Sequence, residues 1–320
     1  MRRRIAVLAM ALVAPALTTG VTATAASAAA TEGTAAESAK SAISAKSANS
    51  AKPVKPVEAL ERHLVVGRGI TVKDATRTYV NGKKSRIAAT ATGTLAFGGG
   101  KVTATDITTR TDLGDLKELE EEFGDLGDFA APTRALTFKG RAYYSGGIFA
   151  SFIPEGKKWA LVEDKSILPV ATTATVNPIE PGTLKAVLAR ASVKRPGGTY
   201  DGVRTTLYQG TITFAELYRV SPSFRAMVGQ RKPTGKSAKV KISWRLWLGS
   251  DQLVRRSWSS WTASLVSTTT VETSYVTDTR FAGWGGRVRI TPPPASQVAT
   301  GDELTGEVPE MPIPLNPLAE

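Results

Sequence analysis

The sequence predicts an α+β protein: one large antiparallel β-sheet with an apolar face covered by a few short helices. Three observations lead there. Segment after segment between residues 86 and 291 alternates apolar and polar side chains with period two. Short turns rich in Gly, Asn and Ser separate these segments, so consecutive strands should pair as antiparallel neighbours. Only three stretches carry apolar residues at helical spacing.

The chain opens with Met1, Arg2, Arg3 and Arg4, an apolar run from Ile5 to Leu17, and small residues that include Ala26, Ser27 and Ala28. That is the pattern of a cleaved secretory signal over 1–28. The run is shorter than the roughly 20 residues a membrane-spanning helix needs. A secreted or envelope-associated chain is therefore expected. Residues 29–57 are mostly Ala, Ser, Thr and Lys, with Ser-Ala-Lys recurring at 38, 44 and 50. With no large apolar residues at a regular period, they should form a disordered arm. The folded domain is expected over 58–300. Residues 301–320 carry five acids, no Lys or Arg, and four prolines, which describes an acidic, extended tail.

Within the domain, Ile87, Ala89, Ala91, Gly93, Leu95 and Phe97 alternate with Arg86, Thr90, Thr92 and Thr94. Asn81-Gly82 before this strand is a hairpin signal and Gly98-Gly99-Gly100 closes it. A Thr- and Val-rich strand follows over 101–111. Leu136, Phe138, Ala142 and Tyr144 then alternate across a pair, and Ser145-Gly146-Gly147 turns the chain into a predicted strand at 148–153. Further strands are expected over 157–163 and 202–213. The clearest alternation is Val240, Ile242, Trp244, Leu246 and Leu248 against Lys241, Ser243, Arg245 and Trp247. Strands over 252–265, 269–281 and 286–291 complete the series, which Pro292, Pro293 and Pro294 stop.

Helical spacing appears in Leu113, Leu116, Leu119, Phe123 and Leu126, again in Leu184, Val187, Leu188 and Ala191 with Thr183 as cap, and in Leu217 through Val228. In the last, Ser221-Pro222 should end one helix and cap the next.

The chain has no Cys and a single His, His63, so thiolate chemistry and multi-histidine metal centres are excluded. Residues 229–237, G-Q-R-K-P-T-G-K-S, are one residue too long between glycines for a P-loop and sit between a helix and a strand, the wrong order for one. They read as a basic loop. Eight carboxylates over 112–128 lie beside leucines at helical spacing, which is the wet face of an amphipathic helix; no calcium-loop spacing is present. Trp244 and Trp247 fall on opposite faces of one strand, which suits core packing plus an exposed aromatic better than a row for stacking bases. No cofactor, no metal and no nucleic-acid partner is expected, and no catalytic constellation is visible.

Residues 201–291 carry a longer pattern. A Thr-rich strand ends in Tyr208, Gln209 and Gly210 and runs into Phe214 and Leu217, then Ser221, Pro222 and Phe224. The Trp-bearing strand Val240–Leu248 follows, then Gly283-Trp284-Gly285-Gly286 and a segment ending in prolines, Ala295, Gln297 and Val298. This resembles the LppX/LprG-type exported proteins of actinobacteria, which have a LolA-like half-barrel fold. The resemblance implies a curved antiparallel sheet with helices over its concave face and lipid chains held between them. Members of that family commonly carry a lipobox Cys; this chain has none, so lipid anchoring is not implied.

The resulting expectation is an exported, monomeric, non-catalytic carrier of a lipid or acylated small molecule. Its cavity lining is expected to be Ile87, Ala89, Ala91, Leu95, Leu136, Phe138, Ile242, Trp244 and Leu246. The net charge of +13 would favour encounters with anionic membrane or cell-wall polymer. The alternative is a cell-envelope interaction or sensor protein without cargo, with a filled core and a basic surface for wall polymer or a partner protein.

Overall fold

The computed structural model describes residues 55–112, 127–169, 174–266 and 270–305. The predicted signal, nearly all of the arm, the helix expected over 113–126 and the tail beyond 305 lie outside the described residues. Among those described, one open sheet of twelve strands is accompanied by six α-helices and two short 3₁₀ turns. The α+β class and the large antiparallel sheet are as the sequence predicts.

In chain order the elements are α1 (Pro56–His63), β1 (Arg68–Val80), β2 (Lys83–Gly98), β3 (Lys101–Asp112), α2 (Gly127–Ala130), β4 (Thr133–Phe138), β5 (Arg141–Gly146) and β6 (Trp159–Glu163). There follow α3 (Pro181–Leu188), β7 (Ala191–Tyr200), β8 (Val203–Thr213), α4 (Phe214–Val220), α5 (Pro222–Met227), α6 (Gly235–Ala238), β9 (Lys241–Gly249), β10 (Val254–Val266), β11 (Thr270–Arg287) and β12 (Val298–Ala299). The spatial order is β12-β6-β5-β4-β3-β2-β1-β11-β10-β9-β8-β7. Two antiparallel runs, β1 to β6 and β7 to β11, join where β1 pairs with β11. The one parallel pair is β12 with β6.

Helix ends follow local chemistry. Thr213 and Glu216 form a capping box at α4: the Thr213 hydroxyl accepts from the Glu216 amide and the Glu216 carboxylate accepts from the Thr213 amide. Ser221 ends α4 and caps α5 by accepting from the Phe224 amide, with Pro222 in the first turn, as expected. Thr183 does not cap α3. The helix starts earlier, with Glu180 at its cap position, and the Thr183 hydroxyl donates to the Glu180 carboxylate at 2.7 Å. Glu180 also accepts from the Ser221 hydroxyl at 2.6 Å and the Ser223 amide at 2.8 Å, tying α3 to α5.

Several expectations are corrected. Residues 147–152 form a 3₁₀ turn instead of a strand, because Gly146 and Gly147 both adopt positive φ and turn the chain away from the sheet. Residues 288–291 leave the sheet; β11 ends at Arg287. β7, with Pro196 in it, was not expected; it lies at the sheet edge, where proline is tolerated. β1 was likewise not singled out, because Lys73, Asp74, Thr76, Arg77 and Thr78 put polar residues on both of its faces. The basic loop contains one helical turn, α6. Residues 301–305 belong to the folded part, where Leu304 packs beside Ile148, Phe149 and Ala160.

The main core lies between one face of the sheet and α1, α3, α4 and α5. It includes Leu60, Leu184, Val187, Leu217, Phe224, Ile212, Ile242, Trp244, Leu246, Leu95 and Phe281, all nearly inaccessible. Phe214 stands edge-on to both Phe224 and Trp261 at 5.1 Å. Gly210 is where this core needs a missing side chain: a Cβ there would sit 2.7 Å from the Trp244 ring and 2.4 Å from the Arg190 carbonyl. The glycine seats the indole.

Candidate functional site: the helix-covered face of the sheet

Residues directly opposite each other in neighbouring strands point to the same side, so the register lays out the face in rows. One row runs Gly210, Trp244, Ser259, Thr277, Thr76, Ala89, Thr111 from β8 to β3. The next runs Tyr208, Leu246, Ser257, Thr279, Asp74, Ala91, Thr109 and Thr133, reaching β4. Both rows change character in the same way. At β9 they carry Trp244 and Leu246, large and sealed under helices. At β10, β11 and β1 they carry hydroxyls and Asp74. At β2 and beyond they carry Ala and Thr.

The middle zone is a buried hydrogen-bonded band. Ser259 and Thr277 share a hydrogen bond at 2.7 Å, and the Thr279 hydroxyl donates to Asp74 at 2.8 Å. All four are buried. The segment 174–179 lies over part of this band. The Thr175 hydroxyl accepts from the Trp261 indole at 3.0 Å, and the Ser257 hydroxyl reaches the Val176 carbonyl at 3.5 Å. Among the described residues, the buried Trp244 indole N–H has no acceptor.

The zone over β2 to β4 is different. Ala89, Ile107, Thr109, Thr111, Thr133 and Ala135 are only half-buried. Apart from Ile107 these side chains are small, which leaves the floor low beside the tall, packed region over β9. Gly93 belongs to this strip for another reason: a Cβ on it would meet the Asp106 carbonyl at 2.0 Å, so the close approach of β3 demands glycine. At the far side Tyr144 stacks on Phe149 at 4.3 Å, and burial pushes its phenol up to about 12.

The predicted lining residues divide accordingly. Ala89, Ala91, Leu95, Ile242, Trp244 and Leu246 share the helix-covered face. Leu95, Ile242, Trp244 and Leu246 are members of the main core. Leu136 and Phe138 are on the opposite face, since Leu136 pairs with Asp106 and Asp106 with Thr94, whose parity is opposite to that of Leu95. They form a separate small cluster with Tyr143 and Val298. Strands β4 to β6 bury apolar residues on both faces, so alternation alone assigned the wrong side. Ile87 lies within 84–87, outside the residues whose side chains are described. Asp74, Ser257, Ser259, Thr277 and Thr279 were missed because Ser and Thr at alternate positions read as a solvated face.

His63 ends α1 and is half-buried, edge-on to Trp284 at 6.0 Å. With Trp284, Asp201, Asp251 and Arg255 it lines a cleft of about 240 Å³ at the rim of the sheet. The cleft walls bond to each other: Arg255 pairs with Asp251 at 2.5 Å, and the Trp284 indole donates to the Val254 carbonyl. Trp247, expected to be exposed, is buried on the outer face beneath Arg256, whose guanidinium stands 4.6 Å from its ring. Among the described residues no group of three or more His, Asp or Glu is placed to hold a metal, and no helix is long and apolar enough to cross a membrane.

No protein-family model matches the chain, and no curated protein does. Among solved structures, it is similar to a DUF1329 family protein from Desulfovibrio piger, with 9% identity and a TM-score of 0.24 over 72% of this chain and 92% of that one.

Proposed function

We propose that this chain is an exported, non-catalytic binding protein for a lipid or lipid-like molecule, which it holds on the helix-covered face over β2 to β4. One observation carries the reading. The face steps down from Trp244 and Leu246, sealed under helices, to half-buried Ala89, Ala135, Thr109 and Thr133. A low floor of Ala and Thr beside a tall packed wall suits an extended acyl chain, and burial of each methylene stabilises the complex by about 0.8 kcal/mol. The resemblance of residues 201–291 to the LppX/LprG-type proteins supports the same ligand class. Ile242, Trp244 and Leu246 then serve as wall and core, and Leu136 and Phe138 have no part in the site.

The test is native mass spectrometry of the purified protein, before and after incubation with envelope lipids, with an organic extract of the same sample. A stoichiometric lipid is expected. Ala89→Trp and Ala135→Trp should displace it, while Leu136→Glu on the opposite face should leave it bound. Retention of lipid by both folded tryptophan variants, or no lipid on the unaltered protein after incubation, would overturn the reading.

A further inference from the structure

The outer face of the same sheet carries a different pattern. One register line crosses it from β4 to β9 as Arg134, Thr108, Thr92, Lys73, Arg280, Arg256 and Trp247. The neighbouring line runs Arg110, Thr90, Ala75, Asp278, Trp258 and Arg245 from β3 to β9, and Arg77 stands on the next. Two of these cations are neutralised within the sheet. Arg134 pairs with Asp106 at 2.7 Å, and Arg256 grips Asp278 through two nitrogens and donates to the Tyr200 hydroxyl.

Lys73, Arg77, Arg110, Arg245 and Arg280 are exposed and have no carboxylate partner among the described residues. Lys73 and Arg280 are directly opposite each other on adjacent strands. Like charges so placed destabilise a sheet; the exposed carboxylates of this face on β3 and β11, Asp112 and Glu272, lie off the line that carries Lys73 and Arg280. Between the cations the floor is Thr and Ala. At about 4.8 Å per strand, the line from β4 to β10 spans about 24 Å.

We propose that this face is a docking surface for a linear phosphodiester polymer without bases, of the polyol-phosphate type, lying across β3, β2, β1, β11 and β10. Arginine favours phosphate through its forked N–H donors, and a polymer can meet several cations at once. The two tryptophans of this face count against a nucleic acid. The Trp258 ring is covered by the Arg245 guanidinium at 4.7 Å and Trp247 by that of Arg256 at 4.6 Å, so neither presents a free face for stacking a base. This surface is on the opposite side of the sheet from the proposed lipid site and stands independently of it.

The experiment measures binding of the purified full chain to synthetic poly(glycerol phosphate) and to a single-stranded oligonucleotide of equal charge, at 50 and 200 mM salt. Tighter binding to the base-free polymer is expected, weakening at least tenfold between the two salt concentrations as counterions are released. The triple variant Lys73→Ser, Arg110→Ser, Arg280→Ser should lose at least tenfold in affinity. Removing three cations elsewhere, by Lys139→Ser, Lys165→Ser and Lys236→Ser, should change it less than twofold. Lys73→Glu gives a second reading: it should weaken polymer binding and raise the melting temperature, since the new carboxylate faces Arg280. Equal losses in the two triple variants, tighter binding of the oligonucleotide, or no binding by the unaltered chain would overturn the proposal.

Discussion

Strands β9 and β2 run through the same face of one sheet with the same period-two alternation, yet they do different things. On β9 the inward residues are Ile242, Trp244 and Leu246, each at most 1% exposed beneath helices. On β2 they include Ala89 and Ala91, which sit low and, at Ala89, only half-buried. Alternation reports which residues share a face. It does not report what lies across from them, and side-chain size carries that second message.

The largest expected effect is at the packed end. Trp244→Ala should cost about 3–5 kcal/mol in urea unfolding, because the cavity left under the helices cannot collapse. Ala89→Leu should change stability by less than about 1 kcal/mol, well under the 1–3 kcal/mol cost of overpacking a filled core. If it costs as much as overpacking, β2 is packed like β9 and the contrast disappears. Gly210→Ala comes next, at about 1–3 kcal/mol, since the new methyl would meet the Trp244 ring and the Arg190 carbonyl. A loss that vanishes in a Trp244→Leu background would show that the indole is what the glycine accommodates.

Ser221→Ala should cost about 1–2 kcal/mol by removing the α5 cap and one donor to Glu180. It sharpens the comparison by testing whether the helix layer depends on this joint. The smallest effect is a pH dependence. Glu216 is held below the usual carboxylate range, first by the Thr213 amide and then by Arg190 and the Thr213 hydroxyl. Its contribution is therefore present above the unfolded value of about 4.3 and is lost as pH falls through its lower folded value. Unfolding curves of Glu216→Gln and the unaltered protein should converge between pH 5 and 3; a constant gap would assign the loss to packing.

The legible parts were those governed by local chemistry. The break at Ser221-Pro222, the Asn81-Gly82 hairpin, and the split of Trp244 and Trp247 between faces all follow from capping, turn and pleat geometry over a few residues. The candidate site was half legible. The face that Ala89 and Ala91 share was legible because their strand has one polar face. Leu136 and Phe138 were placed on the wrong side because β4 to β6 bury both faces, and Val298 supplies the cover from far along the chain. The hydroxyl band was invisible because Ser259 and Thr277 satisfy each other only once β10 and β11 are in register.

The amino-acid sequence alone sufficed for the class of fold, most of the strand alternation, the break between α4 and α5 and the excess of positive charge, since each depends on near neighbours or on composition. It took the tertiary structure to show that β1 stands beside β11 and β12 beside β6, which apolar residues are wall and which floor, and that Lys73 faces Arg280. The β1–β11 pairing joins residues some 200 positions apart, and a strand carries no local mark of so distant a partner.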